Sequence, residues 1–351
     1  MTPAAGPRVG TSVDEALEVL RAGGLVAIPT ETVYGLAADA ANPAAVRRIF
    51  AAKGRPADHP LIVHVARPEH LAAWAATVPP AAAVLADACW PGPLTLLVPR
   101  AAHVLDVVTG GRDTVGIRVP AHPLTEELLV RFGGGLAAPS ANRFGMVSPT
   151  TAAHVAADLG DAVDYVLDGG ACPVGVESTI VDCTVEPVQI LRPGGIPSEQ
   201  IEALLGQVAP AAGPSRAAGM LASHYAPKAT VILAESAADA AEVAAATDGA
   251  WVLDRTADLV AYARHLYADL RAADERGVTT VVAVLPPPRA SATPSATACL
   301  SKAATATPPS NPPIDARSKR CRALTWGCES GFLTQTGSSD GRGRVRRSRG
   351  G

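Results

Sequence analysis

The sequence predicts an α/β protein of two domains followed by a basic tail, on three observations. Over the first two hundred or so residues, short runs rich in Val, Ile and Leu alternate with segments of helical period. The alternation restarts near residue 229 after an aperiodic stretch, and it stops again beyond Pro286. The chain has 351 residues, enough for two sizeable cores. Apolar residues make up 48% but aromatics only 4%, so those cores must be packed mainly from Ala, Val and Leu.

In chain order, a helix is expected over 13–22 and a strand at "GLVAIPT" (24–30). The next helix opens at Asn42-Pro43, a good cap and first-turn pair, and closes at Gly54 just after Lys53. Strands follow at "PLIVHV" (60–65), "LTLLVP" (94–99) and "VGIRVP" (115–120), then a helix over 124–132 and a strand at "GLAAPS" (135–140). A helix over 150–159 leads to strands "DYVLDG" (164–169), "STIVDCT" (178–184) and "VQILRPG" (188–194). Alternation along 60–65 puts His64 and Ile62 on one face, with Leu61, Val63 and Val65 on the other. Residues 10–205 thus form a first domain, and 206–228, small and without period, a linker or ordered loop. In 229–288, strands "ATVILAE", "AWVLD" and "VTTVVAVLP" alternate with an Ala-rich helix and one over 257–276, stopped by Gly277. That β-α-β-α-β order predicts a small parallel sheet. Residues 289–351, rich in Pro, Ser, Thr and Arg, are expected to be a disordered basic tail.

Composition removes several classes of function. Net charge is −3, but from Pro286 onward eleven Lys/Arg face three Asp/Glu, a balance of +8 that leaves −11 for the preceding 285 residues. Such an acidic body argues against a broad nucleic-acid-binding face. The N-terminal stretch carries Asp14 and Glu15 and lacks the apolar block of a signal peptide, and no apolar run reaches membrane-spanning length. Cysteines 89, 172, 183, 299, 321 and 328 show no CxxC spacing, so neither a zinc site nor a disulfide framework is indicated, and a reducing cytoplasm is the expected setting. The sequence contains no GxxxxGK[ST], GxSxG or HExxH, and no GxGxxG after the first strand.

Four stretches could carry chemistry. "PTETVYGL" (29–36) places hydroxyls and a carboxylate where a strand gives way to a turn. In "KGRPADHPLIVHV" (53–65), Lys53 and Arg55 stand two apart at a helix exit, fit either for clamping phosphates or for solvating a helix end. "APSANRFGMVSPT" (138–150) offers Ser140 and Asn142 in a tight turn, and Ser148 at a helix start that suits an anion or an ordinary cap. "DGGACPVGVESTIVD" (168–182) and "ILRPGGI" (190–196) combine glycine turns with Ser178 and Arg192, and the glycines can also be read as loop punctuation.

The order and wording of these blocks, with "WPGPLTLLV" and "VGIRVPAHP", closely resemble the Sua5/YrdC/YciO family of threonylcarbamoyl-AMP synthases over roughly residues 10–205. "SHYAPKA" and the unit after it resemble the second domain of the longer, Sua5-type members. The resemblance implies a YrdC-like twisted mixed sheet with flanking helices, then a small Rossmann-like Sua5-type domain. It implies synthesis of threonylcarbamoyl-AMP from L-threonine, bicarbonate and ATP, with Mg2+ assisting and pyrophosphate released. The product would feed a downstream tRNA threonylcarbamoyltransferase machinery acting on adenosine 37; stable binding of tRNA itself stays open. By motif, the resemblance assigns catalysis to Lys53, Arg55, Ser140 and Asn142. It places Arg55, His59, Thr114, Ser140, Ser148, Arg192 and Tyr225 around ATP, and Thr32, His64, Arg118, Ala138 (through its backbone) and Ser178 around threonine. His59 stands where many relatives carry Asn. No protein side chain is assigned to a metal.

The tail departs from the family, whose Sua5-type members continue with a glycine turn and a last amphipathic helix. A change of reading frame near residue 289 is therefore expected, leaving the second domain truncated; the other reading is a genuine basic tail that helps hold RNA. The alternative function is a YciO-like nucleotide- or RNA-binding module without synthase activity. Carbamoyl transfer of the hydrogenase-maturation kind would need zinc-finger and acylphosphatase-like segments that this sequence lacks.

Overall fold

The computed structural model describes residues 6–212, 226–286 and 293–306. Their strands are β1 (Arg8–Gly10), β2 (Val26–Ile28), β3 (Gly35–Asp39), β4 (Ile62–His64), β5 (Leu94–Pro99), β6 (Thr114–Arg118), β7 (Leu136–Ala137), β8 (Tyr165–Leu167), β9 (Thr179–Asp182), β10 (Gln189–Arg192), β11 (Ala209–Pro210), β12 (Thr230–Ala234), β13 (Trp251–Leu253) and β14 (Thr280–Val284). The first eleven make one mixed sheet in the order β1-β8-β2-β3-β7-β4-β6-β5-β9-β10-β11. β4 runs parallel to β6 and β5 parallel to β9, while β2–β3 and β5–β6 are antiparallel.

Local chemistry sets the helices that flank this sheet. Ser12 caps Val13–Arg21 by accepting from the Glu15 N–H, and Asn42 caps Pro43–Lys53 by accepting from Ala44 and Ala45. Gly54 ends the latter with φ of 63°, a left-handed turn that glycine adopts without a Cβ penalty. That stop fixes where Lys53 and Arg55 leave the helix. One core gathers Tyr34, Leu36, Ile49, Val63, Leu85 and Leu94, and another joins Leu17, Leu20, Ile28, Leu128 and Tyr165.

The second sheet is wholly parallel, in the order β12-β14-β13, with helices Ala237–Ala245 and Leu259–Glu275 between its strands. Its core holds Tyr262, Leu266, Tyr267 and Leu270, and it takes in Val33 and Val147 from the first domain. Among the described residues no helix is long and apolar enough to cross a membrane.

Three differences from the sequence reading stand out. β11 lies inside the stretch expected to be linker and pairs with β10. β3 occupies "GLAAD", where no strand was expected. Most consequentially, Thr293–Ala306 is a helix inside the expected tail, and its Cys299, Leu300 and Ala303 are buried in the second core. Its apolar stripe is built from small side chains, so hydropathy barely marks it. The rest of the tail, 307–351, lies outside the described residues.

Leu300→Ala is expected to lower the unfolding free energy by about 2–5 kcal/mol, read from urea midpoints. Wild-type stability in that variant would mean the helix is not packed.

Candidate active site

β2 ends at Ile28, and Pro29 turns the chain into a knot of hydroxyls. The Thr30 hydroxyl donates to the Val33 carbonyl at 2.6 Å and accepts from the N–H groups of Thr32 and Val33 at 3.2 Å each. This is the local side-chain bonding that Thr uses to hold a turn. The Thr32 hydroxyl lies 2.8 Å from that of Thr30, and Arg118 Nη2 donates to it at 2.9 Å. Glu31 points towards β6: its Oε1 accepts from Arg118 Nη2 at 2.7 Å and its Oε2 from the Ala121 N–H at 2.9 Å. Both members of this ion pair are about 95% buried.

Facing the knot across a cavity is the 177–195 region. Gly195 N–H donates to the Glu177 carbonyl at 2.8 Å, and Gly194 lies so close that a Cβ there would meet the Ser178 carbonyl carbon at 2.3 Å. That approach brings Arg192 onto Ser178, donating from Nε to its carbonyl and from Nη2 to its hydroxyl, each at 3.0 Å. Thr95 of β5 holds the same hydroxyl at 2.8 Å.

The cavity encloses about 550 Å³ of empty space, counting its open mouth. Arg55, Ser140 and Arg192 of the expected ATP set line it, as do all five residues expected around threonine: Thr32, His64, Arg118, Ala138 and Ser178. Thr30, Val33, Gly35, Pro60 to Ile62, Pro139 and Glu177, which lie in the same motif stretches but were given no individual role, also face it. For Glu177, the signal was its place beside Ser178 in "GVEST".

The remaining expected residues lie off the lining or outside the described residues. Lys53 does not line the cavity; it is 3% exposed, and its ammonium donates to the carbonyls of Ser140 and Asn142 at 2.5 Å each. Burial first, then the Arg55 charge, lowers its pKa well below the ordinary value. Asn142 does not line the cavity either: its amide donates to the carbonyls of Arg143 and Met146 at 2.8 Å and holds that turn. Both act behind the wall that carries Ser140. Ser148 is fully buried and donates to Glu177, while His59 packs on Phe144 with ring centroids 5.3 Å apart, and neither belongs to the lining. Thr114 begins β6 opposite Pro99, also away from it. Tyr225 lies outside the described residues.

His64 is buried beside Arg118, with Nδ1 3.4 Å from the Ile62 carbonyl. Desolvation, then the Arg118 charge, lowers its pKa from 6.5 to about 3, so the ring is neutral at physiological pH. Unfolded chains take up this proton as pH falls through 6.5, and folded ones only near 3. The ring's stabilising contribution is therefore complete above 6.5 and declines towards 3, by about 1.4 kcal/mol per pH unit. Replacing His64 with Gln is expected to flatten the fall of urea midpoints between those pH values; an unchanged slope would mean the ring is solvated.

Known proteins resemble this architecture along most of its described length. A profile of the Sua5/YciO/YrdC family, described as telomere recombination, matches residues 18–194, and one for the threonylcarbamoyl-AMP synthase C-terminal domain matches 196–305. The second match extends to residue 305, past the point where the tail was expected to begin. A threonylcarbamoyl-AMP synthase of Pyrococcus abyssi is 48% identical over 227 residues, 63% of this chain and 67% of that one. One from Bacillus subtilis is 45% identical over 230 residues, 64% of this chain and 66% of that one. The matched span is thus just under two thirds of the Bacillus protein's length, and it is 49% of a Schizosaccharomyces pombe relative. The crystal structure of P. abyssi Sua5 complexed with L-threonine superposes with a TM-score of 0.78 at 38% identity, covering 84% of this chain and 94% of that one. With its first profile matched across half its length, this chain belongs to the Sua5/YciO/YrdC family.

Proposed function

We propose that this chain is a threonylcarbamoyl-AMP synthase, which condenses L-threonine, bicarbonate and ATP and releases pyrophosphate. The observation that carries the reading is one cavity lined by three arginines, a neutral imidazole and several hydroxyls. Curated relatives at 45–48% identity carry the same activity in their names, which disfavours the non-catalytic alternative.

In this reading Arg118 meets the threonine carboxylate. Its Nη2 is engaged by Glu31 and Thr32 and its Nε by the Gly92 carbonyl at 3.3 Å, which leaves Nη1 for the substrate. Ala138 donates its N–H to the Ile62 carbonyl, so its own carbonyl is the backbone group that remains to accept from the amine. With the His64 proton on Nδ1, towards Ile62, Nε2 is an acceptor for the threonine hydroxyl. Valine would leave that acceptor unmatched, the kind of loss that discriminates strongly.

The threonine amine combines with bicarbonate to give a carbamate and water. A carbamate oxygen then attacks the α-phosphorus, and pyrophosphate leaves. Such a displacement asks for positioning and charge stabilisation rather than a protein nucleophile. Arg55 and Arg192, with Ser140, supply the cationic side for the phosphates. His59 and Thr114 would meet parts of ATP outside the cavity, and Ser148 would reach it only by opening its bond to Glu177. Among the described residues no cluster of His, Cys, Asp and Glu is arranged to hold a metal ion. We place the reaction in the cytoplasm, supplying the machinery that modifies tRNA.

The test is pyrophosphate release with ATP, bicarbonate and each amino acid in turn. Threonine-dependent release is expected, falling roughly 100-fold in Arg55→Ala. Arg118→Ala is expected to raise KM for threonine more than KM for ATP. Release without threonine, or none from folded protein, would refute the assignment.

A further inference from the structure

Two carboxylates stand at the cavity wall in contrasting situations: Glu177 is part of the lining, and Glu31 lies behind it on Arg118. Glu31 is neutralised by Arg118 and fully occupied. Glu177, 5% exposed, makes no ion pair among the described residues; each of its oxygens accepts from one hydroxyl. Ser148 donates to Oε1. Tyr267, on helix Leu259–Glu275 of the second domain, donates to Oε2 and lies 3.0 Å from Cys299 Sγ of the last helix. Lys302 and Arg192 are near enough for their charges to act on this cluster, yet neither bonds the carboxylate. Two hydroxyl donors fix the orientation of this carboxylate without bringing a positive charge to it.

Of the three proposed substrates, ATP and bicarbonate are anions, and threonine alone brings a cation. We infer that Glu177 receives the ammonium group of threonine and that Tyr267, reaching in from the second domain, is a positioning residue for that carboxylate. The inference rests on the synthase reading and adds a substrate contact to it. It also gives the second domain a task at the site. The Tyr267 ring is fully buried, so its hydroxyl meets Glu177 only when the two domains are docked. Docking is helped by Arg271, which pairs with Asp158 of the first domain at 2.6 Å and donates to the Val147 and Ser148 carbonyls.

Calorimetric titration of the full chain with L-threonine and with 2,3-dihydroxybutanoate, in which a hydroxyl replaces the amine, tests this directly. The wild type is expected to prefer threonine by roughly 10- to 100-fold. Glu177→Gln should remove most of that preference, and Tyr267→Phe, which keeps the ring, should reduce it. In turnover both variants should raise KM for threonine more than KM for ATP, with the larger effect in Glu177→Gln. Equal binding of the two ligands by the wild type overturns the inference even if the variants fail to fold, and so does a selective rise in KM for ATP. Binding of neither ligand refutes the synthase reading itself, which separates the two failures.

Discussion

The buried pair between Arg118 and Glu31 is the constraint on which the site depends. Two charges removed from water are tolerated only if their bonding is nearly complete, and removing one partner strands the other. Here completeness comes from elsewhere: the Ala121 N–H, the Thr32 hydroxyl and the Gly92 carbonyl each take one of the remaining bonds. Meeting those demands pins the strand exit at 29–33 against β6. It also fixes the edge of Arg118 left for a carboxylate. One requirement of burial therefore sets both the shape and the polarity of one wall.

The opposite wall is held from behind. Lys53, at the end of its helix, draws the carbonyls of Ser140 and Asn142 together, and Asn142 ties the turn onward to Met146. Of this closely spaced pair, Arg55, two residues on, is the cation that lines the cavity. Gly175, with φ of 76°, lets the first domain approach the second so closely that a Cβ would meet the Arg264 carbonyl oxygen at 2.1 Å. The site thus depends on contacts that no single strand or motif contains.

Much of this was legible in the sequence, for physical reasons. Asn42-Pro43 and Gly54 announce a helix through local bonding and backbone freedom, and β5 follows from its apolar run. The residues expected around threonine all lie in motif blocks that line the cavity. That Lys53 and Asn142 stand behind the lining was not readable, because spacing reveals residue types at a turn, not which way they point. Helix Thr293–Ala306 was missed because Ala, Cys and Thr bury area without raising hydropathy, and a Pro-rich approach hid its start. Glu177 was passed over because its partners, Ser148 and Tyr267, are 29 and 90 positions away.

Charge shows why local arrangement outweighs composition. The first 285 residues sum to −11, which at long range repels anions. Salt screens that repulsion beyond roughly 8 Å, however, so the body's net charge governs approach more than binding. Inside the cavity the balance reverses: among the described residues, Arg55, Arg118 and Arg192 line it with one carboxylate, Glu177. Glu31 lies behind the lining and is neutralised by Arg118. The surplus positive charge is concentrated where low dielectric strengthens it, so an acidic body can still present a cationic cavity. The same concentration makes the lone unpaired carboxylate conspicuous, because a site built solely for anions would have no use for it.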